Sequence, residues 1–121
     1  MLAAEYDITI DRAAEYSFVL TIQNPAGTAV DIGTYTFYAE ARDAVTKKQA
    51  VVFTTSILDG GDNGQVKFSL SEANTLTLKP AGSYEYDIFM KSTGDVMQRL
   101  LYGSMTVRQN FYKGVPVDPL P

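Results

Sequence analysis

Two acidic side chains on one predicted strand are the first residues that suggest chemistry. Glu85 and Asp87 alternate with the apolar residues of the segment 84–91, so both carboxylates lie on the same face of a sheet. Acid–base catalysis needs two such groups to converge in a cleft that shifts a pKa. The predicted setting is instead the solvated outer face of a sheet, which argues against catalysis.

A second candidate site is a glycine-rich segment that contains two Asp and one Asn. Asp59, Asp62 and Asn63 are spaced by glycines in the segment 59–64 and could form an oxygen-rich cation loop. Calcium takes six to eight oxygen ligands, usually including several carboxylates, and the spacing does not match an EF-hand. Asp and Asn also tolerate left-handed backbone in turns. We therefore favour a glycine-rich turn over a metal site.

The residue types missing from the chain exclude most other site chemistry. The 121 residues include no Cys and no Trp, and there is no His. A disulfide framework, a thiolate nucleophile, a zinc site built on His or Cys and a His general base are thereby excluded. No phosphate-binding loop or nucleophile elbow is present. We expect a protein that is not an enzyme and that carries no cofactor.

The charge balance and the hydropathy limit the classes of partner that we expect this protein to bind. The chain has 10 Lys plus Arg against 14 Asp plus Glu, a net charge of −4. Binding to nucleic acid favours a basic surface that neutralises phosphates, so we expect no nucleic-acid partner. No segment approaches the roughly 20 apolar residues of a membrane helix, and residues 1–5 lack the basic start of a secretory signal. We expect synthesis and folding in a cytoplasm and no membrane association.

The dominant hydrophobic period is two, which is typical of strands with one buried face. Turn signals rich in Gly, Pro, Asn and Asp separate the alternating segments. One short helix is predicted after the N-cap Ser71, and a bulge is predicted near Leu100, Leu101 and Gly103. The predicted strands are 7–11, 15–23, 35–42, 51–57, 66–70, 84–91 and 96–108.

Seven short strands without a long helix predict an all-β fold, an antiparallel β-sandwich of immunoglobulin-like type. Residues 1–109 would form this domain. Tyr84 follows a Pro and a Gly, at a position where a tyrosine can hydrogen-bond nearby backbone as the chain crosses between sheets. Residues 110–121 contain three prolines and no periodicity, which predicts an extended Pro-rich C-terminal arm.

Several turn and strand signatures resemble a class of tailed-bacteriophage structural domain, which includes the N-terminal immunoglobulin-like domain of baseplate upper proteins. The segment 25–32 resembles the turn element followed by Pro-Val-Asp-Leu in that class. The segment 62–70 is similar to its Asn-Gly hairpin, and the segment 80–88 to its Ala-Gly-x-Tyr-x-Tyr-Asp strand. The segments 6–12 and 16–22 match its opening strands.

The resemblance implies a non-enzymatic virion structural protein that binds other virion proteins, as a homo-oligomer within an assembly. A tail, baseplate or fibre-attachment component is the leading expectation, and a head decoration protein that stabilises the capsid is the alternative. Exposed edge strands and apolar residues off the inward register would make the contacts. The candidate partner-binding residues are Val52, Phe89, Phe111, Tyr112, Val115, Pro116, Pro119 and Leu120.

A hypothesis from another class is a carbohydrate-binding module that recognises a host glycan. The chain has 8 Tyr and 6 Phe, and exposed aromatic rings on β-sandwiches can stack on sugars. Most of these rings fall on the inward register and are predicted to fill the core. Five rings lie off it and are the candidate platform: Tyr38, Phe89, Tyr102, Phe111 and Tyr112.

Overall fold

The computed structural model describes residues 4–79 and 82–108, and within these ranges the chain is almost entirely strand and turn. A five-residue helix, α1 (Glu72–Leu76), is the one α-helix in the described ranges. None of the described helices is long and apolar enough to cross a membrane. The strands are β1 (Ala4–Glu5), β2 (Ile8–Asp11), β3 (Tyr16–Thr21), β4 (Thr36–Asp43), β5 (Gln49–Val52), β6 (Thr54–Ile57), β7 (Gln65–Leu70), β8 (Ser83–Lys91) and β9 (Met97–Arg108).

The strands form two sheets that stack as a β-sandwich, which confirms the predicted fold class. The larger sheet has six strands in the order β1-β9-β8-β4-β5, with β2 also paired to β9. The smaller sheet has three strands in the order β3-β7-β6. Neighbouring strands are antiparallel except β1 and β2, which run parallel to β9. The sandwich is therefore mixed at this one edge, a detail that alternation within a strand does not reveal.

Large apolar side chains from both sheets meet between them. Tyr86 and Ile88 on β8 and Phe68 on β7 are almost completely buried in one hydrophobic cluster. Phe68 stacks on Phe18 with ring centroids 5.4 Å apart and meets Phe37 edge-on at 6.1 Å. These contacts follow directly from the two-residue period, because every second side chain of a strand points into the core.

The predicted strand 51–57 is two strands that belong to different sheets. β5 pairs with β4 in the large sheet, and β6 pairs with β7 in the small one. Phe53 lies between them, buried, and its N–H donates to the carbonyl of Ala39 at 2.9 Å. The prediction of one strand was wrong because the side-chain alternation continues through Phe53 while the backbone changes its hydrogen-bonding partner.

The predicted bulge lies at Leu100. The pairing of β8 with β9 passes from Ile88↔Leu101 to Phe89↔Arg99, which leaves Leu100 without a direct partner. Leu100 and Leu101 are both buried, which explains the disturbed alternation. Gly103 is required for another reason, since a Cβ there would overlap the carbonyl oxygen of Tyr6.

The local predictions around α1 are confirmed. Ser71 Oγ accepts from the N–H of Asn74 at 3.1 Å and forms a capping box with that residue. The backbone N–H of Lys79 donates to the hydroxyl of Tyr84 at 2.9 Å. Tyr84 therefore connects the loop after α1 to the first residues of β8. This is the backbone hydrogen bond that was predicted for a tyrosine where the chain crosses between sheets. The predicted arm, residues 110–121, lies outside the described residues.

Candidate docking surface

The outward-facing residues of the six-stranded sheet form the candidate site. Alternation along β4 and β8 buries Ala39 and Ile88 and turns Tyr38, Glu40, Asp87 and Phe89 to the outside. The register places Tyr38 opposite Phe89 and Glu40 opposite Asp87. Direct cross-strand neighbours have Cβ atoms only about 5 Å apart. An apolar pair and an acidic pair therefore lie side by side on this face.

Val52 completes the apolar part of the face. It lies on β5 opposite Glu40, and its 55% exposure and the 48% exposure of Tyr38 are high for large apolar side chains. A groove of about 360 Å³ is lined by Tyr38, Val52 and Phe89, by polar neighbours, and by the core residues Phe37, Ala39 and Phe53. We call it the apolar groove. Two residues predicted from the sequence as contact points, Val52 and Phe89, thus lie together in it.

An ion-pair network borders the apolar groove. Asp87 forms two ion pairs: its Oδ1 lies 3.2 Å from a guanidinium nitrogen of Arg42, and its Oδ2 lies 3.5 Å from one of Arg99. Arg42 also pairs with Glu40 at 3.2 Å, and Gln49 donates to the second oxygen of Glu40 at 2.5 Å. Each charge in this network has an opposite charge beside it. A partner that covered the network would therefore not bury an unpaired charge.

A more polar groove of about 440 Å³ continues from the network toward β1. Arg99 lies over the ring of Tyr102, with the guanidinium carbon 4.2 Å from the ring centroid. One face of the Tyr102 ring is therefore already covered by a cation. Among the described candidate sugar-stacking rings, Tyr38 and Phe89 have no such contact with a cation.

The two predicted carboxylates share the outer face but have different partners. Glu85 pairs with Lys47 at 2.6 Å, and Asp87 belongs to the network with Arg42 and Arg99. They are therefore members of two ion pairs on a solvated sheet face, as the alternation predicts. The two carboxylates therefore share no cation in the structure.

Three side chains in the described ranges have perturbed pKa values, and each has a structural cause. Burial raises the pKa of Tyr86, whose hydroxyl donates to the carbonyl of Tyr6. Burial also raises the pKa of Tyr16. Hydrogen bonds from the backbone N–H groups of Thr46 and Val45 lower the pKa of Asp43, which closes the turn between β4 and β5.

The glycine-rich acidic segment is a turn, as predicted. Residues 59–61 form a single 3₁₀ turn, and Asp59, Gly60, Gly61 and Gly64 all have positive φ. Within residues 4–79 and 82–108, no three Asp, Glu, His or Cys side chains come together in a way that could hold a metal ion. The remaining candidate contact residues, which fall in the predicted arm, lie outside the described residues: Phe111, Tyr112, Val115, Pro116, Pro119 and Leu120.

Sequence reasoning missed the ion-pair network that borders the apolar groove. Alternation alone predicts that Glu40, Arg42 and Asp87 face outward, but it does not say which strands are neighbours. The charge pattern of β4 and β8 was the available signal, because opposite charges on adjacent strands stabilise each other only in the correct register. Register became known only with the structure.

Comparisons with known proteins add little to this geometry. No protein-family model matches the chain, and no curated protein is similar to it. Among solved structures, the fold is similar to the crystal structure of CopC from Methylosinus trichosporium OB3b. The identity is 17%, the TM-score is 0.48, and the match covers 84% of this chain and 87% of that one. We draw no functional conclusion from this likeness.

Proposed function

We propose that this chain is a non-enzymatic structural subunit of a tailed-bacteriophage particle and that it binds neighbouring subunits through the apolar groove. The observation that carries the proposal is the grouping of Tyr38, Val52 and Phe89 on the outer face of the large sheet. The core does not use these side chains, and a contiguous exposed apolar patch on a soluble domain marks an interaction site. The resemblance of the turn and strand signatures to phage structural domains supports the virion setting.

The charges around the apolar groove suit a protein partner. An interface commonly has an apolar centre and a polar rim with satisfied hydrogen bonds. Tyr38 and Val52 would form such a centre, with Glu40, Arg42 and Asp87 as the rim. A tail, baseplate or fibre-attachment position is the leading form of the proposal, and a head decoration protein is the alternative.

Particle incorporation tests the proposal. Particles produced from a genome that lacks the gene for this chain would be complemented with the wild-type chain or with Val52→Lys. Quantitative mass spectrometry of purified particles measures the copies incorporated. We expect Val52→Lys to reduce incorporation at least tenfold, because a charge in the centre of an apolar contact must be desolvated. Val45→Lys is the matched control, since Val45 is 86% exposed on the turn between β4 and β5.

Two results would contradict the proposal. The first is the absence of the wild-type chain from purified particles. The second is equal incorporation of the wild-type chain, Val52→Lys and Val45→Lys, which would show that the apolar groove contributes nothing to assembly.

A second candidate function is glycan binding on the same face. The observation that favours it is the exposed ring of Tyr38 beside Glu40 and Gln49, because sugar sites combine an aromatic ring with carboxylate or amide acceptors. A glycan array probed with the wild-type chain and Tyr38→Ala tests it. Binding that is lost in Tyr38→Ala but kept in Tyr102→Ala would support this function, since Arg99 already covers the Tyr102 ring. An array without binding would exclude it.

A further inference from the structure

The β3 strand leaves one edge of the small sheet open. β3 is the terminal strand in the order β3-β7-β6, and no other described strand pairs with its outer side. Its inward side chains, Tyr16, Phe18 and Leu20, are only half-buried although they pack against the core. An open edge with an incompletely covered apolar row is a template for another strand.

The hydrogen-bond register shows which residues present their backbone to the open side. The N–H of Ile22 donates to the carbonyl of Gly64 at 2.7 Å, at the position that continues the pairing Thr21↔Gln65. Hydrogen-bonded positions alternate along an antiparallel pair. Even-numbered residues of β3 therefore bond to β7. The N–H and C=O groups of Ser17, Val19 and Thr21 point away from β7, to a side where no other described strand pairs.

The other sheet edges carry features that discourage pairing. β5 has four residues and a register shift against β4 at Ala41/Arg42, and β6 also has four. The β1–β2 edge is interrupted at Asp7, whose carboxylate accepts from the N–H of Ser104 at 3.0 Å. β3 has six residues in unbroken register, with no Pro, Gly or charged side chain. It is the one described edge without a protecting device.

We propose that a second copy of this chain pairs with β3, antiparallel, about a two-fold axis that passes midway between the two Val19 residues. Antiparallel pairing of identical strands is self-complementary, as a two-fold interface requires. Residues that face the same side must be opposite each other, so Val19 meets its own copy, Ser17 meets Thr21 of the second copy and Phe18 meets Leu20. The outward-pointing groups of Ser17, Val19 and Thr21 would then form about six hydrogen bonds between the copies.

The lack of charge on β3 favours a second copy as the occupant, because a strand with a net charge would repel its own copy. Every cross-strand pair in this register is neutral, so no like charges oppose each other. Lys67 lies opposite Val19 on β7, and Glu15 precedes β3, where this register would place it opposite Gln23 of the second copy. In the paired form the two Lys67 strands are three strand spacings apart, about 14 Å, which exceeds the screening length of about 8 Å at physiological salt. The exposed Val19 side chain, otherwise solvated, gains an apolar neighbour.

Oligomeric state and a proline substitution test the proposal. Light scattering of the full chain at about 100 µM, a concentration that detects weak dimers, should give twice the monomer mass. Val19→Pro removes only an N–H that points away from β7, so the ladder within the sheet is kept. We expect Val19→Pro and Val19→Lys each to raise the dissociation constant at least tenfold. Val45→Lys, at an exposed position on the turn between β4 and β5, should leave the dissociation constant unchanged.

Cysteine cross-linking gives an independent reading of the register. The chain has no cysteine, so Val19→Cys introduces a single thiol that would lie beside its symmetry copy. We expect oxidation to cross-link Val19→Cys at least tenfold faster than the control Val45→Cys, whose site is also exposed.

Two results overturn the proposal. One is a wild-type monomer, whether β3 stays open or is covered by another segment or protein. The other is a dimer that withstands both Val19→Pro and Val19→Lys and does not cross-link through Val19→Cys.

Discussion

The β1–β2 edge and the β3 edge of the sandwich are stabilised in opposite ways, although only residues 12–15 separate β2 from β3 in the chain. The edge formed by β1 and β2 is held to β9 by side chains as well as by backbone pairing. Tyr86 donates to the carbonyl of Tyr6, and Asp11 forms an ion pair with Arg108 at 2.8 Å. The β3 edge has backbone pairing on its inner side only, and its apolar row is half-buried.

This difference separates a permanent edge from one that is available for assembly. At the β1–β2 edge, the Asp7 carboxylate accepts from the N–H of Ser104 on β9 and fills the gap between the two paired strands. At β3, no described strand pairs with the outward backbone groups, and the side chains are neutral. The large sheet therefore forms a closed platform with the apolar groove on its outer face, and the small sheet supplies an edge that can be extended.

The largest expected effect comes from comparing two stacked rings of the small sheet. Phe68 on the central strand is fully buried, whereas Phe18 on β3 is half-buried. We expect Phe68→Ala to lower the free energy of unfolding by about 4 kcal/mol and Phe18→Ala by about 2 kcal/mol, because the cost follows the packing that is lost. Urea unfolding monitored by circular dichroism measures both.

Protein concentration sharpens this first prediction. If β3 pairs with a second copy, the cost of Phe18→Ala should rise with concentration, because the dimer is coupled to folding, whereas the cost of Phe68→Ala should rise less. Equal costs for the two variants in dilute solution would mean that the β3 row is covered as completely as the core, and the contrast between the edges would be lost.

Gly103→Ala tests the closed edge. A Cβ at residue 103 would overlap the carbonyl oxygen of Tyr6, which also accepts from the Tyr86 hydroxyl. The junction between β1 and β2 must then move away from β9, so we expect a loss of about 2–3 kcal/mol in the free energy of unfolding. Gly94→Ala is the control, because a Cβ there meets nothing within 4 Å. Similar midpoints for the two variants in thermal unfolding would show that the edge is loose.

The sequence predicted the residues of each face better than the neighbours of each strand. The two-residue period correctly placed Tyr86 and Phe68 inside and Val52 and Phe89 off the inward register. It could not predict that β2 runs parallel to β9, or that the chain changes sheets at Phe53, because neither alters which side chains are buried. Strand pairing is a long-range property, and alternation is a local one.

The candidate site shows the same division. Alternation was sufficient to select Val52 and Phe89, but the apolar groove exists only because β5, β4 and β8 are neighbours in that order. The network around Asp87 likewise depends on the bulge at Leu100. Because the bulge leaves Leu100 unpaired, Arg99 rather than Leu100 lies opposite Phe89 on the outer face. The sequence suggested a bulge near this point, but its effect on Arg99 requires the register.

The smallest expected effect concerns the ion pair that closes the secured edge. Arg108 contacts both carboxylate oxygens of Asp11, at 2.8 and 3.2 Å, and both side chains are more than half exposed. A double-mutant cycle with Asp11→Asn and Arg108→Gln should give a coupling of about 0.5 kcal/mol, typical of exposed pairs. Urea unfolding at low and high salt measures it, and the coupling should fall toward zero in 1 M NaCl, where the screening length is about 3 Å. A coupling above about 2 kcal/mol that resists salt would mean that this pair, rather than the contacts of Tyr6 with Tyr86 and Gly103, holds β2 against β9.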